Sequence, residues 1–326
     1  MSLDADLIVD RRKMRRKLTF WRVFAVLIAI VGIVAITASV TRRGGAGIAS
    51  GSDHIARVKI TGIIRNDQDR VDSLERLAKS TRAKAVIVRI DSPGGTTAGS
   101  EQLHKALKNV AATKPLVVVI DGLAASGGYI AAMSADHIVA AETSLVGSIG
   151  VIFQYPNFSE VLKTVGVKVE EIKSTPLKAS PNGYEPTSPE ARAAIADLVK
   201  DSYAWFRDMV RDRRKMDGPV LDTVSDGRVF TGRQALPLRL VDQIGNEKTA
   251  IAYLTTEKGI KTETPVRDWP LKARFSDLNM LHLAVVFTLD AVGLRSLAER
   301  FEGSLLAAER LNLDGLLALW HPPVSN

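Results

Sequence analysis

The chain has 326 residues, of which 46% are hydrophobic and 25% are charged. This length and composition exclude a disordered protein and allow one large domain or two small ones with a substantial core. The net charge is +8, but residues 1–43 hold most of the basic excess, so we expect no nucleic-acid footprint on the rest of the chain. The absence of cysteine excludes disulfides, thiolate metal ligands and cysteine nucleophiles.

The N-terminal segment contains one apolar run, "VFAVLIAIVGIVAITASV", at residues 23–40. It carries no charge and is long enough to cross a hydrocarbon core of roughly 30 Å. Because basic residues crowd the preceding flank, residues 1–22 are predicted to be cytoplasmic and the rest of the chain extracytoplasmic. A cleaved signal peptide is the rival interpretation, since small residues follow in "AITAS". We favour an uncleaved transmembrane anchor, because the run exceeds the usual ~7 to 15 apolar residues of a signal peptide.

Beyond the anchor, residues 41–53 are rich in Gly, Ser and Ala and predict a flexible tether. Strand-like and helix-like patterns then alternate from His54. Continuous apolar runs at residues 86–88 and 117–120 are typical of strands that are buried on both faces of a parallel sheet. We therefore expect an α/β domain over residues 54–270, with layered parallel sheets and flanking helices.

Downstream, "VLKTVGV" predicts a helix and "KVEEIKS" a strand. A long helix follows, with Thr187 and Glu190 spaced as a capping box and Pro189 near its start. Residues 271–326 are an amphipathic, Leu-rich C-terminal tail, and Asp290 interrupts its apolar run, so we predict no second membrane span. For this tail we favour docking or subunit contact over a helix lying on the membrane surface.

Two Gly-rich corners follow predicted strands, "RIDSPGGTTAG" at residues 89–99 and "IDGLAASGGY" at residues 120–129. Ligands of α/β sheets bind beyond the carboxyl ends of parallel strands, where both corners fall. Ser126 is a candidate nucleophile with the N–H of Gly127 as an oxyanion donor, and Gly94 and Gly95 allow a second outward N–H. Small residues also occur where a helix begins close against a sheet. A corner of this kind can also cradle phosphate, although no phosphate-loop pattern is present.

A serine nucleophile needs a base, and the five histidines lack an evident triad context: His54, His104, His137, His282 and His321. Asp91 and Asp121 stand at strand ends, where carboxylates more often cap or turn the chain. No spacing of metal ligands occurs in the sequence. A lysine can serve when burial or nearby charge lowers its pKa toward neutrality. Lys178 lies in an irregular small-residue stretch and Lys173 at the end of a predicted strand, and spacing alone does not decide between them.

Five stretches occur in order along the chain: "DSPGG", "AASGGYIAAMSAD", "TSLVGSIGV", "IKSTPLKASP" and "DGRVFTGRQALPLRLVDQIG". Over about residues 54–254 they resemble the SppA-type signal peptide peptidases, which are membrane-anchored Ser/Lys proteases with a ClpP-like fold, related to that of the crotonases. The resemblance implies that Ser126 is the nucleophile and Lys178 the general base. It also implies that Ser148 orients the lysine amine and that Gly95 and Gly127 are the oxyanion donors. Family members often have "SGGYY" where this chain has "SGGYI", a difference that affects the shape of the pocket.

The sequence thus predicts a serine endopeptidase, anchored in the bacterial inner membrane, that degrades cleaved signal peptides and other membrane-associated peptides. Its expected partners are peptide substrates, the lipid bilayer and further copies of the chain in a homo-oligomeric ring, with no cofactor and no metal. A catalytically silent assembly or binding module is the alternative, and the presence of both Ser126 and Lys178 argues against it. A crotonase-like acyl-CoA enzyme would share the fold but would make no use of Ser126 or of an export anchor.

Overall fold

The computed structural model describes residues 52–271 and the backbone of residues 316–319. The predicted anchor at residues 23–40, most of the tether and most of the C-terminal tail lie outside the described residues. Among the helices within the described ranges, none combines the length and the apolar character that a membrane span requires.

The described strands, β1 to β10 in chain order, are His54–Ile64, Ala83–Thr96, Leu116–Ala125, His137–Ala140, Leu145–Gly147, Ile152–Phe153, Val229–Thr231, Gln243–Ile244, Val266–Asp268 and Leu316–Leu319. The described helices, α1 to α8, are Gln68–Lys79, Thr97–Ala111, Gly127–Ala132, Ser159–Thr164, Pro189–Arg214, Gly218–Val224, Gly232–Ala235 and Glu247–Thr256. Strands and helices alternate from β1 to α3, as the sequence predicts.

The centre of the fold is a parallel sheet with the strand order β9-β1-β2-β3-β4-β8. Residues 86–88 of β2 and 117–120 of β3 are fully excluded from solvent. Val86 and Val88 face a core formed with α1, α2, α3 and α5, while Ile87 faces Ala250 and Leu254 of α8 on the opposite side. Both faces are therefore covered, and the predicted α/β fold with a parallel sheet is confirmed.

Tyr129 fastens α3 into the first of these cores. Its side chain is fully buried, and its hydroxyl donates a hydrogen bond to the Leu240 carbonyl at 2.6 Å. Burial raises the pKa of Tyr129 above its usual value, so the hydroxyl remains protonated and keeps donating. The helix that follows Ser126 is thus held in place both by burial of the Tyr129 ring and by the hydrogen bond that the Tyr129 hydroxyl donates.

The sheet divides into two branches beyond Ser92 of β2 and Ala124 of β3, the last paired residues of these two strands. The register between β2 and β3 shifts just before this pair. Past it, residues 94–96 of β2 pair with β10, which also pairs with β6. On the edge of β3 that faces away from β2, residues 123–125 pair with β5, which also pairs with β7. The division lies at the carboxyl ends of β2 and β3, where the two Gly-rich corners are found.

Residues 165–188, here called the lysine segment, differ from the sequence expectation. α4 ends at Thr164, so the predicted helix forms only in part, and the strand predicted in "KVEEIKS" is absent from the described structure. No residue of that stretch is buried. A strand needs a neighbour to accept its backbone hydrogen bonds, and the described residues supply none there.

The long helix α5 begins as predicted near Pro189, but the predicted capping box is wrong. The N-cap is Ser188, whose side chain accepts a hydrogen bond from the Ala191 N–H at 3.1 Å. The Thr187 hydroxyl instead forms a hydrogen bond with the Tyr155 hydroxyl. Either hydroxyl residue can cap a helix, so spacing alone selected the wrong one.

Candidate active site

Ser126 lies between the end of β3 and the start of α3. Its backbone has φ 54° and ψ −117°, a conformation that costs a residue other than glycine roughly 1 to 3 kcal/mol. Hydrogen bonds hold it there: the Ser126 N–H donates to the Gly147 carbonyl at 2.8 Å, and the Ser126 carbonyl accepts from the Tyr129 and Ile130 N–H groups. The residue is 1% exposed, and its Oγ bonds to no other residue in the described part of the chain. Serine hydrolases use such a strained strand-to-helix turn to present a nucleophile.

The two Gly-rich corners touch each other. A Cβ atom on Gly128 would lie 2.7 Å from the Ser92 carbonyl oxygen, and one on Gly95 would lie 1.8 Å from a carbonyl oxygen of β1. Gly94 has φ 101°, which glycine adopts without strain. A side chain at position 128 would push the two corners apart, and one at position 95 would push β2 away from β1. The small residues around Ser126 therefore allow close approach of backbone to backbone, which is also what a peptide carbonyl needs beside a nucleophile.

The two predicted oxyanion donors belong to these corners. Gly127 is the first residue of α3, so its N–H has no acceptor within that helix. Gly95 lies in the last part of β2, directly before Thr96, whose side chain caps α2 by accepting from the Gly99 N–H at 3.0 Å. Their part in catalysis stays a prediction.

Ser92 is a residue whose role the sequence analysis missed. It is fully buried; its Oγ donates to the Gly62 carbonyl at 2.6 Å and accepts from the Gly94 N–H at 3.1 Å. These bonds fix the turn that leads into Gly95. The available signal was its position between a strand end and Pro93 in "DSPGG", because a serine there can bond to the backbone of the turn that follows.

Ser148 lies beside Ser126 in the second branch of the sheet. Ala125 pairs with Gly147, so the two serines directly follow paired residues of β3 and β5. Ser148 has φ 50°, is 8% exposed, and donates its N–H to the Arg228 carbonyl at 2.8 Å. The structure therefore brings four of the five predicted site residues to one end of the sheet: Gly95, Ser126, Gly127 and Ser148.

In the single chain, Lys178 makes no hydrogen bond or ion pair with Gly95, Ser126, Gly127 or Ser148. It is exposed within the lysine segment, where its N–H donates to the Thr175 carbonyl at 3.1 Å. No hydrogen bond or ion pair links its Nζ to another described residue. Several apolar side chains of the same segment are also exposed: Val165, Val167, Val169, Ile172, Leu177 and Tyr184.

Lys173, the competing candidate, is held by carboxylates. Its Nζ lies 2.6 Å from Glu171 and 2.7 Å from Glu185. Hydrogen bonds to Glu171 and then to Glu185 raise the pKa of Lys173, so its amine stays protonated at neutral pH and cannot accept a proton. It lines a pocket of about 560 Å³ whose lining residues all come from the stretch between Val169 and Ala191; neither Ser126 nor Lys178 is among them.

Two of the histidines make contacts away from the Ser126 hydroxyl. His104 Nδ1 lies 2.9 Å from the Ile130 carbonyl oxygen, and burial lowers the pKa of this ring. His137 stacks on Tyr253 with the ring centroids 3.9 Å apart, and its Nε2 lies 3.2 Å from Gln243 Oε1. His282 and His321 lie outside the described residues.

Comparison with known proteins relates this site to a family. Peptidase family S49 matches residues 108–261. A Synechocystis protein provisionally named a protease is 35% identical over 207 residues, which cover 63% of this chain and 75% of that protein. The chloroplastic serine protease SPPA of Arabidopsis thaliana is 31% identical over 228 residues, or 66% of this chain and 34% of its own length. Protease 4 of Haemophilus influenzae is 28% identical over 236 residues, or 69% of this chain and 38% of its own length.

Among solved structures, a ClpP1 mutant from Listeria monocytogenes matches with a TM-score of 0.38 and 14% sequence identity, covering 58% of this chain and 91% of that chain. The α/β fold and the sequence matches define the protein as a serine peptidase. The chain belongs to peptidase family S49 and is of the SppA type.

The bonds of Ser92 predict an effect on turnover. Ser92→Ala should lower kcat about tenfold or more with little change in KM, because leaving the buried Gly94 N–H unpaired costs about 1 to 3 kcal/mol and loosens the turn before Gly95. Ser100→Ala is the matched control, since Ser100 is also fully buried and donates to the Thr96 carbonyl at 2.9 Å. Steady-state peptide hydrolysis measures both. Equal kcat values in the two variants would show that Ser92 has no special role.

Proposed function

We propose that this serine peptidase is an endopeptidase of the bacterial inner membrane, anchored by residues 23–40 with its catalytic domain on the extracytoplasmic side. Its proposed substrates are cleaved signal peptides and other membrane-associated peptides. The observation that carries the proposal is Ser126, a buried serine in a strained conformation where the sheet divides, in a chain of peptidase family S49. The anchor and the substrate class rest on the apolar run, its basic flank and the ordered motifs of the sequence.

In the proposed reaction, Ser126 Oγ attacks the carbonyl carbon of the scissile bond while its proton passes to the neutral amine of Lys178. The N–H groups of Gly95 and Gly127 stabilise the charge that develops on the carbonyl oxygen. The tetrahedral intermediate collapses as the C–N bond breaks, and the protonated lysine gives its proton to the leaving amine. Water, deprotonated by the same lysine, then hydrolyses the acyl-enzyme ester and regenerates the serine. Ser148 holds the lysine amine by a hydrogen bond.

The proposed peptide groove lies between two strand edges. Residues 94–96 of β2 form one edge, next to the corner of Ser126, and residues 152–153 of β6 form the other. An extended peptide laid against such edges gains main-chain hydrogen bonds whatever its sequence, and side-chain pockets add selectivity. This binding mode suits an enzyme that degrades membrane-derived peptides of varied sequence.

The position of Lys178 supports a further step in the proposal, namely that the site is completed in an assembly. A lysine acts as a base only when its surroundings disfavour the charged form, and the described residues leave Lys178 exposed. Exposed apolar patches on a soluble domain mark contact surfaces, and the lysine segment carries six such side chains around this residue. We infer that a second copy of the chain covers the lysine segment in a ring with a ClpP-like protomer fold.

The nucleophile assignment predicts that Ser126→Ala abolishes peptide hydrolysis and labelling by a fluorophosphonate probe. The fold should be retained, because the lost hydroxyl bonds to no described residue. Ser134→Ala is the control: Ser134 is equally buried and its Oγ donates to the Ala131 carbonyl at 2.7 Å, so this variant should still be labelled. Hydrolysis at the wild-type rate in Ser126→Ala would refute the assignment.

The base assignment predicts that Lys178→Ala slows hydrolysis by roughly 10²- to 10⁴-fold. Lys178→Arg should not restore the rate, because a guanidinium stays protonated. Lys173→Ala is the matched control and should keep most of the activity, since Glu171 and Glu185 raise the pKa of Lys173 and keep it charged. The wild-type pH–rate profile should rise with pH along a single limb as the neutral amine forms. This rise with pH should persist in each of the five His→Ala variants. A wild-type rate in Lys178→Arg would contradict the Ser126/Lys178 dyad. Loss of the rise in one histidine variant would contradict it as well.

Assembly predicts complementation between inactive variants. In a ring where each copy gives its lysine to one neighbour, mixing equal amounts of full-length Ser126→Ala and Lys178→Ala should restore about a quarter of the wild-type rate. Mixing Ser126→Ala with the double variant should restore none. The measurement is hydrolysis after subunit exchange in detergent, with sedimentation to give the size of the assembly. An active monomer, or no recovery in a confirmed ring, contradicts a shared site.

A further inference from the structure

A basic cleft lies between α2, the last turns of α5 and the end of α3. Two adjoining cavities of about 400 and 300 Å³ form it, and both are lined by His104, Lys108 and Met209. The cavities extend to further residues of the same elements: Met133, Trp205, Arg213 and Lys215. None of the predicted catalytic or oxyanion residues lines either cavity, so the cleft is separate from the candidate active site.

Three cations of the basic cleft have no counter-ion among the described residues. Lys108, Arg213 and Lys215 form no ion pair within the part of the chain that the structure describes. The Arg213 Nε is also shielded from solvent and has no hydrogen-bond acceptor. The acidic residues of the cleft are paired with other cations: Glu101 with Lys105 at 2.5 Å and Asp212 with Arg211 at 2.9 Å. The cleft therefore carries uncompensated positive charge.

Helix macrodipoles explain only part of this charge. Lys108 lies in the last turn of α2 and Arg213 in the last turn of α5, where a cation offsets the partial negative charge of the helix end. The dipoles do not explain a guanidinium nitrogen that is withdrawn from water without an acceptor, because a buried unpaired donor costs free energy. A bound anion would supply the acceptor, and guanidinium groups bind phosphate through two parallel hydrogen bonds.

His104 provides a further ligand group. Its Nδ1 lies 2.9 Å from the Ile130 carbonyl oxygen, which can only accept, so Nδ1 carries the proton and Nε2 is left for a ligand. Burial, and then the positive charges of Lys108 and Arg213, lower the pKa of His104, while Glu101 acts in the opposite direction. The ring is therefore neutral at neutral pH, and an anion beside it would favour the imidazolium form.

The rest of the cleft is apolar. Met133 is buried, and Met209 and Trp205 are partly buried against the core. The cleft lies toward the end of the sheet where the chain enters the domain, because α2 leads back to the start of β3 and β1 begins at that end with His54. Residues 41–53 join His54 to the predicted anchor. Cations beside an apolar surface at this end of the domain suit an amphiphile with an anionic head group.

We propose that the basic cleft binds the phosphate group of an anionic phospholipid, with an acyl chain against Met133, Met209 and Trp205. Arg213, Lys108 and His104 contact the phosphate. This inference goes beyond the proposed function and takes from it only the membrane location of the chain. Its test requires neither peptidase activity nor the anchor, so the two can fail separately.

Lipid titration tests the site directly. Full-length protein in a neutral detergent is titrated with dihexanoylphosphatidylglycerol, and hydrogen–deuterium exchange of residues 104–111 and 205–216 should show saturable protection. In Lys108→Gln/Arg213→Gln, the lipid concentration for half protection should rise about tenfold or more, because charge-assisted hydrogen bonds are lost. Arg192→Gln/Lys200→Gln is the matched control, since it removes the same charge from exposed positions of α5, and it should bind like the wild type. Absence of saturable protection, or equal binding by the two double variants, would overturn the proposal.

Two other ligands identify the source of the phosphate. Dihexanoylphosphatidylcholine keeps the phosphate and the acyl chains but has no net charge, and inorganic phosphate lacks the chains. Each should need about tenfold more ligand or more for the same protection. Equal protection by phosphatidylcholine would indicate apolar contact alone, and equal protection by inorganic phosphate would indicate a free-phosphate site. Either result would overturn the proposal.

The melting temperature separates a binding role of Arg213 from a structural one. Arg213→Gln should not lower the melting temperature of the lipid-free protein, because it removes a buried donor that has no acceptor among the described residues. A marked fall would show that Arg213 has a structural partner and would overturn its assignment to a ligand site.

The pH dependence of lipid binding tests His104. Because a phosphodiester keeps its charge, the affinity should rise as the pH falls from about 8 to about 6 and the lipid-bound His104 takes up a proton. In His104→Gln, whose amide can still donate to the Ile130 carbonyl, the affinity should stay constant over this range. An equal pH dependence in both proteins would overturn the assignment of His104 to the site.

Discussion

The separation of β2 from β3 is the constraint on which the site depends. Up to Ser92 and Ala124 the two strands share a ladder, and beyond that pair each must find other partners for its backbone groups. Within the described structure β10 takes the place of β3 beside residues 94–96 of β2, while β5 pairs with residues 123–125 on the other edge of β3. Each strand therefore keeps a ladder on at least one edge where the two separate, and the buried Ser126 follows directly at the opening.

The strain at this opening is held by neighbouring structure. Ser126 and Ser148 both have positive φ, and each is fixed by a backbone hydrogen bond to the adjoining strand or loop. Close packing of the helix that begins at Gly127 against the corner of Ser92 prevents relaxation, since no room exists for a Cβ on Gly128. Tyr129 anchors the same helix from the opposite side. The geometry is therefore set before any substrate arrives, which is the condition for effective electrostatic stabilisation.

The fold class could be predicted because strands buried on both faces leave continuous apolar runs in the sequence, and β2 and β3 have them. The site residues could be named because they fall in short ordered motifs. Ser92 was missed because its role lies in two bonds to backbone groups, and its position before Pro93 indicates a turn without identifying Gly62, which is distant in the chain, as one of the partners. The strand predicted around Lys173 was wrong because a strand forms only where a neighbouring strand can pair with its backbone, and the residue pattern does not show whether one is present. The pairing of β10 joins segments far apart in the chain, and tertiary structure alone determines such a contact.

The contrast between the buried Ser126 and the exposed Lys178 bears on how such an enzyme is kept in check. Under the proposed shared site, a newly made copy carries both residues but cannot bring them together, so it is inactive until it meets another copy. The peptidase activity then rises more steeply than linearly with the local concentration of copies. A cell could therefore tune proteolysis by modest changes in expression or by clustering, with no inhibitor protein and no activating cleavage.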